Sequence, residues 1–136
     1  MLIIWTSAEA ALIRKVLEPV VSRQRIDLRI ESDMTKVPHL NPGDVLLACG
    51  GKALAVLTSM GATPKNRTIT SLRDRALPMS GGSMFITFDP SIVNKDYARM
   101  PEIQWDTQLA IRMALTGSSK PNLGPDLYAG TQAIGA

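Results

Sequence analysis

At 136 residues, with 45% apolar and 20% charged side chains, the chain is long enough for one core without staples and too apolar for a disordered segment. Its one cysteine, Cys49, excludes an internal disulfide and the multi-cysteine ligation of an iron–sulfur cluster or structural zinc, so no metal or cofactor is expected. The formal charge of +3 is compatible with a polyanionic partner without being diagnostic of one.

Residues 2–5, Leu-Ile-Ile-Trp, read as a buried strand. This apolar start is too short for a membrane span or a signal segment, so a cytoplasmic protein with no membrane partner is expected. Ser7 is placed to cap a helix in which Leu12, Ile13, Val16, Leu17, Val20 and Val21 recur at helical spacing. Glu9 would then sit near its positive end, and Pro19 should end or kink it near Glu18. Ile26, Leu28 and Ile30 alternate with Asp27, Arg29 and Glu31, the period-two pattern of an edge strand with one wet face.

The turn Asn41-Pro42-Gly43-Asp44 leads into an apolar strand at 45–49, which makes Cys49 a buried, inert thiol. Gly50-Gly51 opens a helix closed by Gly61 and Pro64, and a long loop spans 62–82. Within it, Lys65, Arg67, Arg73 and Arg75 face only Asp74, an excess equal to that of the whole chain. A strand is expected at 84–88 and a last helix from Pro101, with Ile103, Leu109, Ala110 and Met113 on its apolar face. Trp5 and Trp105 fall within apolar patterns and read as core; His39, the lone histidine, reads as a surface loop residue. Residues 1–118 thus form one domain, and the Gly- and Pro-containing, aperiodic stretch 119–136 reads as a flexible C-terminal tail.

Continuous apolar strands joined by helices imply an α/β fold, a three-layer parallel sheet with helices on both faces. About four strands in the order 2-1-3-4 put the alternating strand at one edge and 84–88 at the other, and keep the crossovers right-handed. The topological switch then lies between the first and third strands, so Thr6, Ser7, Gly50 and Gly51 line one crevice at their carboxyl ends.

Over residues 44–110 the chain resembles the later half of the uracil-DNA glycosylase superfamily in four consecutive features. These are the strand, Gly turn and Ala-rich helix from Val45 through Gly50-Gly51 to Leu54; the run Leu72-Arg73-Asp74-Arg75, similar to Leu-Arg-Gly-Arg; the strand 84–88 with its turn Asp89-Pro90-Ser91, where the superfamily has His-Pro-Ser; and the closing helix around Trp105. The resemblance implies a uracil-DNA glycosylase-like fold in which Asp89, Pro90 and Ser91 join the crevice. The same element order also fits an unrelated doubly wound domain, because such folds host many functions.

The superfamily breaks an N-glycosidic bond, which needs a group positioning water and a donor stabilising the departing base. The loop after the first strand, Trp5-Thr6-Ser7-Ala8-Glu9, lacks the water-positioning motif, and Glu9 reads as a helix-dipole partner. An ionised Asp89 accepts hydrogen bonds and does not donate. A carboxylate about 4 Å from a developing anion costs roughly 4 kcal/mol at an effective dielectric near 20, or about a thousandfold in rate. Asp89 is therefore expected to cap its own turn, and no catalytic residue is assigned.

The resulting expectation is a non-catalytic DNA-binding or DNA-replication accessory domain, since such segments also resemble regions associated with bacteriophage family A DNA polymerases. Partners would be DNA, bound through Lys65, Arg67, Arg73 and Arg75, and a DNA polymerase or other replication protein in the host cytoplasm. Ile92 and Val93 would be exposed at the crevice mouth as a wedge into stacked bases, with Phe88 the better stacking candidate of the two Phe residues in its strand. Two alternatives stay open: a divergent glycosylase with Ser7, Asp89 and Ser91 around the pocket, and a phage factor binding a host protein through Met79 and Met84.

Overall fold

The computed structural model describes residues 1–79 and 81–117; the expected tail at 119–136 lies outside the described residues. Strands β1 (Leu2–Trp5), β2 (Leu28–Glu31), β3 (Asp44–Cys49), β4 (Leu77–Met79) and β5 (Gly82–Thr87) form one sheet in the order β2-β1-β3-β5-β4. β2, β1, β3 and β5 are parallel, while β4 runs antiparallel to β5. The α/β class follows from the alternation of apolar strands and amphipathic helices; the expected count and order of strands do not. The expected four-stranded sheet ended at 84–88, whereas a fifth strand, β4, takes that edge. It was hidden by its three-residue length and by Pro78, which has no N–H for a ladder and is tolerated at an edge.

Every residue of β1 and β3 is buried, because both faces of the sheet are covered. Leu2, Ile4, Val45, Leu47 and Phe85 face helices α1 (Ala10–Val16), α2 (Glu18–Val21) and α5 (Met100–Thr116). Ile3, Trp5, Leu46, Met84 and Ile86 point the other way, onto α3 (Gly50–Ser59) and α4 (Ile69–Leu72). Met84 is fully buried, so it cannot contribute to the protein-binding face expected from Met79 and Met84. The strand alternation that places Met84 inward was legible; the covering of that face by α3 and α4 was not.

Local chemistry sets the element ends. α1 starts at Ala10 with Glu9 in the capping position and no side-chain cap, so Ser7 is not its N-cap. Thr6 instead takes the Ala8 N–H on its hydroxyl at 3.0 Å, fixing the turn before the helix. The helical stretch breaks at Leu17, and Pro19 falls in the first turn of α2, where a missing N–H costs nothing. α5 ends at Gly117, which takes a left-handed φ of 76°.

Candidate crevice at the carboxyl edge of the sheet

β1, β3 and β5 end side by side, and the residues that follow them meet. Thr6 is fully buried and donates its hydroxyl to Asp89 Oδ1 at 2.5 Å. Asp89 Oδ2 accepts the Ser91 N–H at 3.1 Å and the Ser91 hydroxyl at 2.5 Å, so the carboxylate caps the 3-10 turn Pro90–Asn94. Gly50 completes the set. A Cβ there would sit 2.8 Å from Asp89 Cβ, and the residue holds φ +93°, so only glycine lets β3 turn into α3 this close to the Asp89 turn. Thr6, Gly50, Asp89, Pro90 and Ser91 therefore converge, although the convergence is filled by their own contacts. Pro90 is buried, while Ser7 and Gly51 are exposed beside the filled centre.

Cys49 lies beneath this group with its thiol 3.7 Å from the Leu47 carbonyl. Burial pushes the thiol well above its ordinary pKa, and the nearby Asp89 and Asp106 carboxylates push it further. It is an inert core thiol. His39 is exposed in the loop before β3, away from these strand ends.

The basic segment divides. Arg73 turns inward: its Nε and Nη2 each lie 3.0 Å from an oxygen of Asp106, and Nη1 lies 3.6 Å from Glu102. Asp106 has no exposed surface and also accepts the Thr87 hydroxyl at 2.7 Å. Burial raises its pKa above the ordinary carboxylate value, against the lowering effect of Arg73 and Thr87. Arg73, expected on DNA, is thus the partner of a buried carboxylate. Lys65, Arg67 and Arg75 are exposed and have no carboxylate within ion-pair distance among the described residues. Asp74, the one acid in the segment, accepts the indole N–H of Trp105 at 2.5 Å.

The wedge expectation fails for Val93, which is 5% exposed, and Ile92 is half-buried against the same core. Both pack inward because the 3-10 turn lays them over the α1–α5 layer. Phe88 is buried as well, since β5 stops at Thr87 and the strand alternation no longer governs it; the Arg99 guanidinium lies 4.8 Å from its ring centroid. Trp105, expected in the core, is 40% exposed.

Sequence reasoning missed Asp106, although a signal was there. It is three residues after Ile103 and four before Ala110, an acid on the buried stripe of α5, which demands a buried cation. Also missed was a groove of about 320 Å³ between α2 and α5, lined by Arg23, Gln24, Gln108, Arg112 and Leu115. A neighbouring groove shares Leu115 and adds Arg25. Neither involves the crevice residues.

The described residues contain no cluster of His, Cys, Asp or Glu able to hold a metal ion, and no helix among them is long and apolar enough to cross a membrane. No family model, no curated protein and no solved structure matches the chain.

Proposed function

We propose that this chain is a non-catalytic polyanion-binding domain that takes DNA on the segment between α3 and β4. The observation that carries the reading is the trio Lys65, Arg67 and Arg75, exposed and without acidic partners among the described residues, while the nearby acids are engaged elsewhere. Unpaired guanidinium and ammonium groups are available for phosphate oxygens without breaking an internal pair first. Arg23 and Arg112, around the α2–α5 groove, likewise have no ion-pair partner among the described residues and extend the supply of cationic surface.

The crevice supports a non-catalytic role. Three hydrogen bonds hold the Asp89 carboxylate in its turn, and a Cβ on Gly50 would meet Asp89 Cβ at 2.8 Å, so the carboxylate is engaged within a tightly packed turn. A uracil-DNA glycosylase-like fold and an association with a bacteriophage DNA polymerase remain part of this reading, supported by the Gly50-Gly51, Leu72-Arg73-Asp74-Arg75 and Asp89-Pro90-Ser91 segments.

Binding of single- and double-stranded oligonucleotides, followed against salt concentration, is the test. The full chain should bind with a salt-dependent affinity. The variant Lys65→Ala/Arg67→Ala/Arg75→Ala should bind more weakly, with a slope shallower by about 0.7–0.9 for each phosphate it no longer neutralises. Absence of binding at low salt, or an unchanged slope in the folded triple variant, refutes the assignment.

A further inference from the structure

The two edges of the sheet are built differently. β4 is three residues long and carries Pro78, a combination that discourages further strand pairing. β2, four residues long, has no proline to interrupt a further ladder. Among the described residues it pairs only with β1, and its apolar side chains Leu28 and Ile30 are 39% and 45% exposed. They border an open groove of about 270 Å³ walled by Ile4, Ile13, Leu17 and Val21. α1 and α2 cover β1 and leave the outer strand bare.

We propose that the outer edge of β2 is the interface for a second copy of this chain, added antiparallel to form a continuous sheet across a twofold axis at Leu28. The sequence around the edge, Arg25-Ile26-Asp27-Leu28-Arg29-Ile30-Glu31, is self-complementary when reversed. Antiparallel pairing centred on Leu28 sets Leu28 against Leu28, Ile26 against Ile30, Asp27 against Arg29 and Arg25 against Glu31 of the second copy. Every facing pair is then apolar–apolar or opposite in charge, the combinations that stabilise cross-strand neighbours. A shift by one residue pair toward the carboxyl end sets Arg29 against Arg29 and is disfavoured.

The structure supports this register in two ways. The Asp27 carbonyl accepts the Leu2 N–H at 2.8 Å, so the pairing with β1 continues past the first residue of β2. Asp27 and Arg25 have no ion-pair partner among the described residues, and both are exposed. Arg29 and Glu31 pair with each other at 2.9 Å, so Asp27 and Arg25 of the second copy would add to that pair from either side. The alternation that keeps Ile26, Leu28 and Ile30 on one face also carries the apolar groove of each copy up to the other. The groove rim carries one charge of each sign, Arg14 and Glu18, and so sets up no single-sign barrier to a reversed copy.

The test is sedimentation equilibrium of the full chain over a wide concentration range. A monomer–dimer equilibrium is expected. Leu28→Lys, at a partly exposed position tolerant of change, should raise the dissociation constant roughly tenfold or more by setting like charges across the axis. Asp27→Arg should weaken the dimer by opposing Arg29, and the double variant Asp27→Arg/Arg29→Asp should regain it by restoring opposite charges. Circular dichroism confirms that each variant is folded. A chain that stays monomeric throughout, a dimer indifferent to Leu28→Lys, or a double variant no tighter than the Asp27→Arg single variant overturns the proposal.

Discussion

Arg73 holds Asp106 through two parallel hydrogen bonds of 3.0 Å, tying the end of α4 to the middle of α5 across 33 residues of chain. The Thr87 hydroxyl bonds the same carboxylate from the last residue of β5. Three elements therefore lock at one buried anion. A buried charge survives only when its remaining lone pairs are satisfied, and here Arg73 and Thr87 do that together.

This geometry separates two arginines that look alike in the sequence. Arg73→Ala leaves Asp106 buried and unpaired and should cost about 3–5 kcal/mol of stability. Arg75→Ala, at an exposed side chain, should stay within about 0.5 kcal/mol of the parent chain. Urea unfolding of the two variants measures both. Equal midpoints would show that the buried pair contributes nothing to the fold.

The direction of two carboxyl shifts gives a pH signature. Burial raises Asp106 above its ordinary 3.8. Its folded form holds the proton more tightly, so its contribution to stability is full below 3.8 and is lost as pH rises through the raised value. Asp44 runs the other way. The Asn41 N–H, 2.9 Å from its carboxylate, lowers it, so its contribution is present above 3.8 and is lost as pH falls through the lowered value. Carboxyl-carbon NMR titration should place Asp106 above 3.8 and Asp44 below it. An Asp106 midpoint at or below 3.8 contradicts the account of its burial.

How far the sequence alone carried is decided by what each signal measures. Apolar runs located β1, β3 and most of β5, because burial on both faces leaves no other composition. They could not find β4, whose Leu-Pro-Met is too short for any period. Turn chemistry located the Asp89 cap, since an Asp before Pro-Ser has its own backbone within reach. Charge counting found the basic segment and misjudged Arg73, because exposure depends on a partner 33 residues away. Apolar character at Ile92 and Val93 was equally consistent with packing and with display, and the 3-10 turn settled it inward.

The paired glycines at the start of α3 should respond oppositely to alanine. Gly50 holds φ +93°, and a Cβ there meets Asp89 Cβ at 2.8 Å. Gly50→Ala should lose about 1–3 kcal/mol through left-handed strain and displacement of the Asp89 turn. Gly51 is in open space at an ordinary helical position, so Gly51→Ala should gain up to about 1 kcal/mol from helix propensity. Thermal or urea unfolding reads the two signs, and a Gly50→Ala variant as stable as Gly51→Ala defeats the close-approach argument.

Asp89 gives the prediction that bears most directly on function. Its carboxylate takes the Thr6 hydroxyl and both donors of Ser91, a capping role worth about 1–2 kcal/mol when the side chain is removed. Asp89→Ala should therefore lower stability by that amount and leave the proposed DNA affinity unchanged, because the proposed cationic surface does not depend on it. Neither the parent chain nor the variant should release uracil from an oligonucleotide, since the Asp89 carboxylate is held by the Thr6 and Ser91 donors and its turn carries no histidine. Alkaline cleavage of a uracil-containing strand after prolonged incubation with stoichiometric protein is the measurement. Strand cleavage by the parent chain that disappears in Asp89→Ala would turn the cap into a catalytic group and overturn the non-catalytic reading.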